Sequence, residues 1–260
     1  MTKGSDPALS AQVAAACREL RLPSVGARAA ALASDAAREA VSHLGFLAAL
    51  LEIELEDRTE RRRQRRITEA RFPRLKRLEE FNFADAPAIP VSVIRELATG
   101  AFVDKAENVI LLGESGTGKT HLATALGIAA CMASRRVRFA TTAGLVNELV
   151  EARDDKSLSR VVARYARVEL LILDELAYVP LAPAEAELLF QVLDERTESR
   201  SIVLTTNLPF GEWTKVFPEP RLCKAVVDRL TFNAHIVETG TESWRFRSSV
   251  QRRKGGRKSA

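Results

Sequence analysis

The residues with the most chemistry to offer are Gly113, Glu114, Ser115, Gly116, Thr117, Gly118, Lys119 and Thr120, which match the pattern G-x-x-x-x-G-K-[ST] at every specified position. Average composition gives such a match by chance in about one chain in a hundred of this length. The glycines let the backbone wrap tightly enough for successive N–H groups to face a β-phosphate. The start of the following helix adds its partial positive charge. Lys119 is placed to neutralise β- and γ-phosphate charge, and the Thr120 hydroxyl to ligate Mg²⁺. A second block, Leu170-Leu-Ile-Leu-Asp174-Glu175, ends an apolar run in two acids. Asp174 at such a strand end suits holding Mg²⁺ through water. Glu175 suits polarising a water for attack on the γ-phosphate, which marks a hydrolase rather than a small-molecule kinase. Further on, Asn207 either orients that water or, in Asn207-Leu-Pro209, simply makes a turn.

The elements that must position these residues are legible in the apolar pattern. Val109 to Leu112, Val137 to Thr141, Leu170 to Leu173, Ile202 to Thr206 and His235 to Glu238 are expected strands. Helical patterns alternate with them at Lys119 to Ala133, Ala143 to Ala152, Ser157 to Arg167, Ala184 to Glu198 and Arg221 to Leu230. Strands apolar on both faces and joined by helices predict a parallel sheet covered on both sides, an α/β domain. The first ninety residues read as helical, with one long helix from about Ser42 to Arg71. Pro87 and Pro90 bracket an expected linker before a short helix, Val91 to Ala98.

Composition excludes several classes. The chain has 260 residues, 46% hydrophobic and 28% charged, which rules out general disorder, collagen and a disulfide scaffold. The longest nearly apolar run, Leu122 to Ala133, is well short of the ~20 residues of a membrane span, so no membrane association is expected. The N-terminus shows no basic start leading into an apolar stretch. Cys17, Cys131 and Cys223 are odd in number and far apart, which predicts reduced, mostly buried thiols in a cytoplasmic protein. The net charge of +5 is unevenly placed. Residues 101–240 carry 16 basic and 19 acidic side chains, whereas residues 241–260 carry seven and one. Arg58 to Arg77 holds ten basic residues and two acids. Arg58, Arg61, Arg62, Arg63, Arg65 and Arg66 on one helix are candidates for sequence-independent contact with DNA phosphates. The competing reading is a solvated helix supported by Glu54, Glu56 and Glu60. The tail from Arg252 to Lys258 would add non-specific attraction.

Taken together, the chain resembles the IstB-like ATPases, helpers of bacterial insertion-sequence transposition that are similar to DnaC-type helicase loaders. Besides the two phosphate blocks, the residues that carry the resemblance are Glu80-Phe-Asn-Phe83, Leu145-Val-Asn-Glu-Leu-Val150, Glu185-Ala-Glu-Leu-Leu-Phe190, Thr206-Asn-Leu-Pro-Phe210 and Asp228-Arg-Leu230. Ala177 stands where the family often has Gly. The resemblance implies an AAA+ P-loop NTPase with a five-stranded parallel sheet in the order 5-1-4-3-2, preceded by a small all-α domain. The expected division is a helical domain at 1–90, the ATPase domain at 91–247 and a basic tail at 248–260. It further implies ATP-dependent self-assembly into a homo-oligomer on double-stranded DNA, and stimulation of a partner transposase. An arginine from the neighbouring subunit completes the site in this fold; Arg229 occupies that place, with Arg221 a second candidate nearby, and the competing reading for either is an ordinary surface ion pair. Arg245 could touch the phosphates of its own subunit. His121, next after Thr120, is grouped with the nucleotide-binding residues, although packing suits it better than catalysis. Two other readings stand beside this one, a helicase loader that prefers single strands and a scaffold that binds ATP but barely hydrolyses it.

Overall fold

The computed structural model describes residues 7–176, 180–241 and 243. Contacts divide the chain into two units, Met1–Gln64 and Arg65–Ala260. In the first unit, stretches rich in Ala, Leu, Glu and Arg fold as α1 (Pro7–Glu19), α2 (Pro23–Arg38) and the beginning of α3 (His43–Ala70). Pro23 opens α2, where its missing N–H costs nothing. The next two N–H groups, of Ser24 and Val25, donate to the buried Glu54 carboxylate of α3 at 2.8 and 3.2 Å. Burial opposes the charge on Glu54, but Arg58 and those two N–H groups outweigh it and hold the carboxyl below its usual range. The apolar core of this unit is small, with Cys17, Val25 and Leu50 buried.

The second unit contains α4 (Val91–Ala98), α5 (Ala101–Asp104), β1 (Asn108–Leu112), α6 (Lys119–Met132), β2 (Val137–Thr141), α7 (Thr142–Asp154) and α8 (Leu158–Ala166). It continues with β3 (Leu170–Leu176), α9 (Pro183–Asp194), β4 (Ser201–Thr206), α10 (Pro220–Thr231) and β5 (Ala234–Glu238). All five strands are parallel and lie in the order β2-β3-β4-β1-β5, which is the expected 5-1-4-3-2 read from the other edge. Because successive residues point to opposite faces, Val109, Leu111, Ile172 and Val203 join one core with Leu122 and Leu126 of α6. Ile110, Leu171, Leu173 and Leu204 join the other with Leu145, Leu189 and Val226 of α7, α9 and α10. Such two-faced burial is why the strands read as continuous apolar runs.

Three departures from the sequence pattern are larger than two residues. β3 runs on to Leu176 through a bulge at its acidic end. α9 stops at Asp194, not Glu198. Residues 72–90 form two short 3₁₀ turns, Leu78–Glu80 and Phe83–Asp85, and not part of a separate helical body. Phe72, Phe81, Phe83 and the buried Ile89 pack into the α6-side core, so the stretch around Pro87 belongs to the second unit. Aromatic side chains on a nearly helix-free segment need a surface to cover, and α6 provides it.

Arg196, after α9, is fully buried. Its guanidinium donates to the carbonyls of Tyr165, Val168 and Ser201 at 2.5, 3.0 and 2.7 Å, closing the turn after α8 onto the start of β4. Burial, with the charge of Arg200 added, pulls its pKa down to about 9. Replacing it by Met removes the guanidinium donor from the Tyr165 and Val168 carbonyls, each loss costing about 1–3 kcal/mol. Arg196→Met should therefore lose about 3 kcal/mol in urea unfolding with an unchanged slope; a midpoint equal to wild type would contradict this role.

Candidate functional site

The loop between β1 and α6 is pinned at its start from two sides. The Gly113 N–H donates to the Thr206 carbonyl at the end of β4 (3.2 Å), and the Glu114 N–H to the Gly240 carbonyl beyond β5 (3.1 Å). Gly116 and Gly118 have φ of +83° and +99°, the region that favours glycine. A Cβ on Gly118 would stand 2.7 Å from the Phe81 ring, and one on Gly116 2.3 Å from Ser243 Oγ. The Thr117 hydroxyl meets the Glu114 carbonyl at 2.9 Å and Thr239 Oγ1 at 2.6 Å. Lys119 Nζ bends back over the loop and donates to the carbonyls of Gly113 and Glu114 at 2.6 and 2.8 Å.

The acids stand beside this loop. Asp174 is 4% exposed. Its carboxylate accepts from the Thr120 hydroxyl at 3.0 and 3.1 Å and from the Thr205 hydroxyl at 2.6 Å. Thr205 Oγ1 in turn accepts the Glu175 N–H at 2.8 Å. Opposite β4 the pairing jumps from Leu173↔Leu204 to Leu176↔Thr206, a bulge with Glu175 at φ +60°. The bulge breaks the strand's alternation, leaving Asp174 buried and turning Glu175 outward to line the cavity with Asn207.

That cavity, about 690 Å³, brings together Ser115 to His121, Glu175, Thr205 and Asn207. Its other wall was not legible as a site. It consists of Arg74, Lys76, Phe81, Asn82 and residues 85–88, with Thr239 to Thr241 closing the far side. The block Glu80-Phe-Asn-Phe83 was the available signal, since Phe81 is the residue that covers Gly118. His121 packs edge-on against Phe81, with ring centroids 5.1 Å apart, and its Nε2 lies 2.9 Å from the Arg77 carbonyl.

Other candidates lie outside this cavity. Arg229 on α10 donates from Nε to Asp194 Oδ1 at 2.5 Å and stacks 4.8 Å from the Phe190 ring centre. Arg221 is exposed at the start of α10. Arg245 and the tail lie outside the described residues. In the arginine-rich part of α3, Arg58 is held by Glu54 at 2.9 Å, and Arg61 donates to Ser24 Oγ at 2.6 Å. Arg63 faces Glu60 at 3.8 Å, and Arg65 and Arg66 share Glu69 at 3.6 and 3.2 Å. Arg62 is exposed.

Comparison with known proteins decides the family. The IstB-like ATP binding protein family matches residues 15–252. The chain belongs to that family. An insertion sequence ATP-binding protein of Sinorhizobium fredii is 41% identical over 244 residues, 93% of this chain and 82% of the relative. The IS21 ATP-binding protein of Pseudomonas aeruginosa is 39% identical over 225 residues, 86% and 84% of the two chains. Among solved structures, AMPPCP-bound DnaA of Aquifex aeolicus superposes with a TM-score of 0.54 at 20% identity, over 70% of this chain and 55% of DnaA. DnaI does so at 0.52 and 21%, over 63% and 90%. These likenesses confirm an α/β P-loop fold of the AAA+ type. Among the described residues, no helix of this family member is long and apolar enough to cross a membrane.

The close approach of Phe81 to Gly118 gives a direct test. Gly118→Ala places a methyl against the ring at positive φ, a strain of about 1–3 kcal/mol. Urea unfolding should show that loss, and nucleotide affinity should fall with it. Wild-type stability would mean that the loop does not hold this conformation.

Proposed function

We propose that this IstB-family chain binds ATP in the loop cavity and hydrolyses it to ADP and phosphate. We further propose that it uses the nucleotide to self-assemble on double-stranded DNA and to recruit or stimulate a partner transposase. The observation that carries the enzymatic reading is the Thr120–Asp174–Thr205–Glu175 hydrogen-bond chain, which leaves one acid buried and one turned into the cavity. The relatives' names, which tie them to insertion sequences and ATP, support the wider reading.

In this mechanism Lys119 leaves the Gly113 and Glu114 carbonyls for the phosphate oxygens of the substrate. Glu175 takes a proton from water as the water oxygen bonds to the γ-phosphorus. The bond from that phosphorus to the bridging oxygen breaks, and ADP departs with the electron pair. Asn207 holds the attacking water. Mg²⁺ fits the donors present, because Thr120 Oγ1 and Asp174 are hard oxygen ligands already 3.0 Å apart. When bound it would draw charge from the β- and γ-oxygens. Thr205 keeps the Asp174 carboxylate turned toward Thr120.

Arg229 does not line its own chain's cavity; we place it at the γ-phosphate of a neighbouring subunit, released from Asp194 when subunits meet. DNA contact falls to exposed arginines of α3, among them Arg62 and Arg65. Duplex preferred over single strands in the presence of ATP supports the transposition reading; the reverse preference, with binding to a replicative helicase, would support a loader.

Lys119→Ala should lower ATP affinity at least tenfold by calorimetry and abolish ATP-dependent assembly. Glu175→Gln should bind ATP within about threefold of wild type but turn over about 10²–10⁴-fold more slowly, as read by phosphate release. Wild-type turnover in that variant removes Glu175 as the base. Arg229→Ala should lose hydrolysis while the monomer keeps its ATP affinity. Mixing it with Lys119→Ala should restore part of the rate, and no recovery at any ratio would argue against action between subunits.

A further inference from the structure

A second cavity, of about 340 Å³, lies at the opposite end of the sheet from the phosphate loop, beside the first residues of the edge strand β2. It is lined by Arg66 and Glu69 of α3, Arg136, Val137 and Arg138 at β2, and Arg164, Tyr165 and Val168 at the end of α8. Four of these eight side chains are arginines and one is acidic.

The acids around it are divided among too many partners. Glu69 serves both Arg65 and Arg66. Glu169 serves both Arg135, at 3.1 Å, and Arg136, at 3.5 Å, although Arg135 also pairs with Asp104. Glu148 pairs with Arg164, accepts the Tyr165 hydroxyl at 2.6 Å, and also feels the charge of Arg138. Burial disfavours the charge on Glu148, but Tyr165 and the arginines outweigh it, so the carboxyl stays ionised below its usual range. Positive charge remains in excess. Two donors are also left over, because Arg66 Nε and Arg138 Nε are buried without a hydrogen-bond partner. A buried unsatisfied N–H is costly, and the two arginines that carry these donors come from different elements and both line this cavity. Protecting the β2 edge from strand pairing would need charge pointing into solvent, not buried donors.

We propose that this cavity is a phosphate-oxyanion site distinct from the ATP site, and that its occupant is a backbone phosphate of duplex DNA. Arginines from three elements line this one cavity, and a guanidinium fork matches the geometry of a phosphate oxyanion. Arg65, exposed one residue before Arg66, extends the positive surface along α3 for a neighbouring phosphate. The proposal deepens the DNA-binding reading: it locates one contact in a built pocket where β2 meets the end of α3.

Arg138→Gln tests it, with Arg138→Lys retaining the charge but not the fork. Binding of a fluorescent 30-base-pair duplex is titrated with ATP present over a salt series. Binding of inorganic phosphate is followed by thermal shift with the ATP site filled by ADP. Arg138→Gln should keep ADP affinity, bind the duplex at least tenfold more weakly, and show a salt slope smaller by about one. Arg138→Lys should lose at least threefold, and it is the variant that decides if the glutamine protein no longer binds ADP. Wild-type duplex affinity and slope in the deciding variant overturn the proposal and leave the DNA reading intact. If the wild type binds no duplex, the DNA reading fails. Phosphate stabilisation that disappears in the variant then preserves the oxyanion site, and no such stabilisation overturns it.

Discussion

A single hydroxyl, that of Thr205, sets the chemistry of the sheet's upper edge. The Asp174 carboxylate is almost fully buried, and a buried carboxylate needs donors. Thr205 supplies one from β4 and Thr120 another from α6, so two neighbouring strands and the loop helix are tied at one point. The same Thr205 oxygen takes the Glu175 N–H, which the bulge would otherwise leave without its ladder partner. Satisfying Asp174 and allowing the bulge are therefore one requirement. Because the bulge separates the two acids, one stays with the loop threonine while the other reaches the cavity.

Much of this was readable in the sequence, for local reasons. Buried parallel strands have to be apolar on both faces, and the phosphate loop needs its glycines at fixed spacing. These constraints act within a few residues, so five strands and their order followed from pattern and resemblance. What stayed hidden depends on partners far apart in the chain. Thr205 looks like an ordinary β-former until Asp174 arrives 31 residues away in sequence. Phe81 reads as one more aromatic in a short turn until Gly118 leaves it room. Arg196 has the sequence character of a surface residue, yet it is fully buried because its guanidinium serves carbonyls of Tyr165, Val168 and Ser201, which lie far apart in the chain.

Charge shows the same limit more sharply. Counting residues gives ten basic against two acidic side chains between Arg58 and Arg77, an excess that suggests one uniform DNA-facing surface. The structure divides that surface by the partners its arginines find. Arg58 and Arg61 anchor the N-terminal unit through Glu54 and Ser24. Arg65 and Arg66 fall in the second unit, where they share Glu69. An arginine held by a buried carboxylate in its own fold is poorly placed to exchange that partner for a phosphate. An arginine that shares its acid has more to gain. Acid–base ratio around each guanidinium, and not the count along the helix, marks where an external anion is favoured.

The same reasoning applies to the role proposed for Arg229. Arg229 has a full partner in Asp194 and stacks on Phe190. Its resting place is therefore a satisfied one, and the proposed move to a neighbour's phosphate requires that site to offer more than a half-exposed carboxylate does. The triphosphate, with its γ-phosphoryl group in transit, carries more total negative charge than one carboxylate, and a guanidinium can meet several of its oxygens at once. On the proposed mechanism, the Asp194 pair holds the arginine in place, and exchange becomes favourable only when ATP is bound next door. On this reading, the coupling between nucleotide and assembly resides in the difference between two anions competing for one guanidinium.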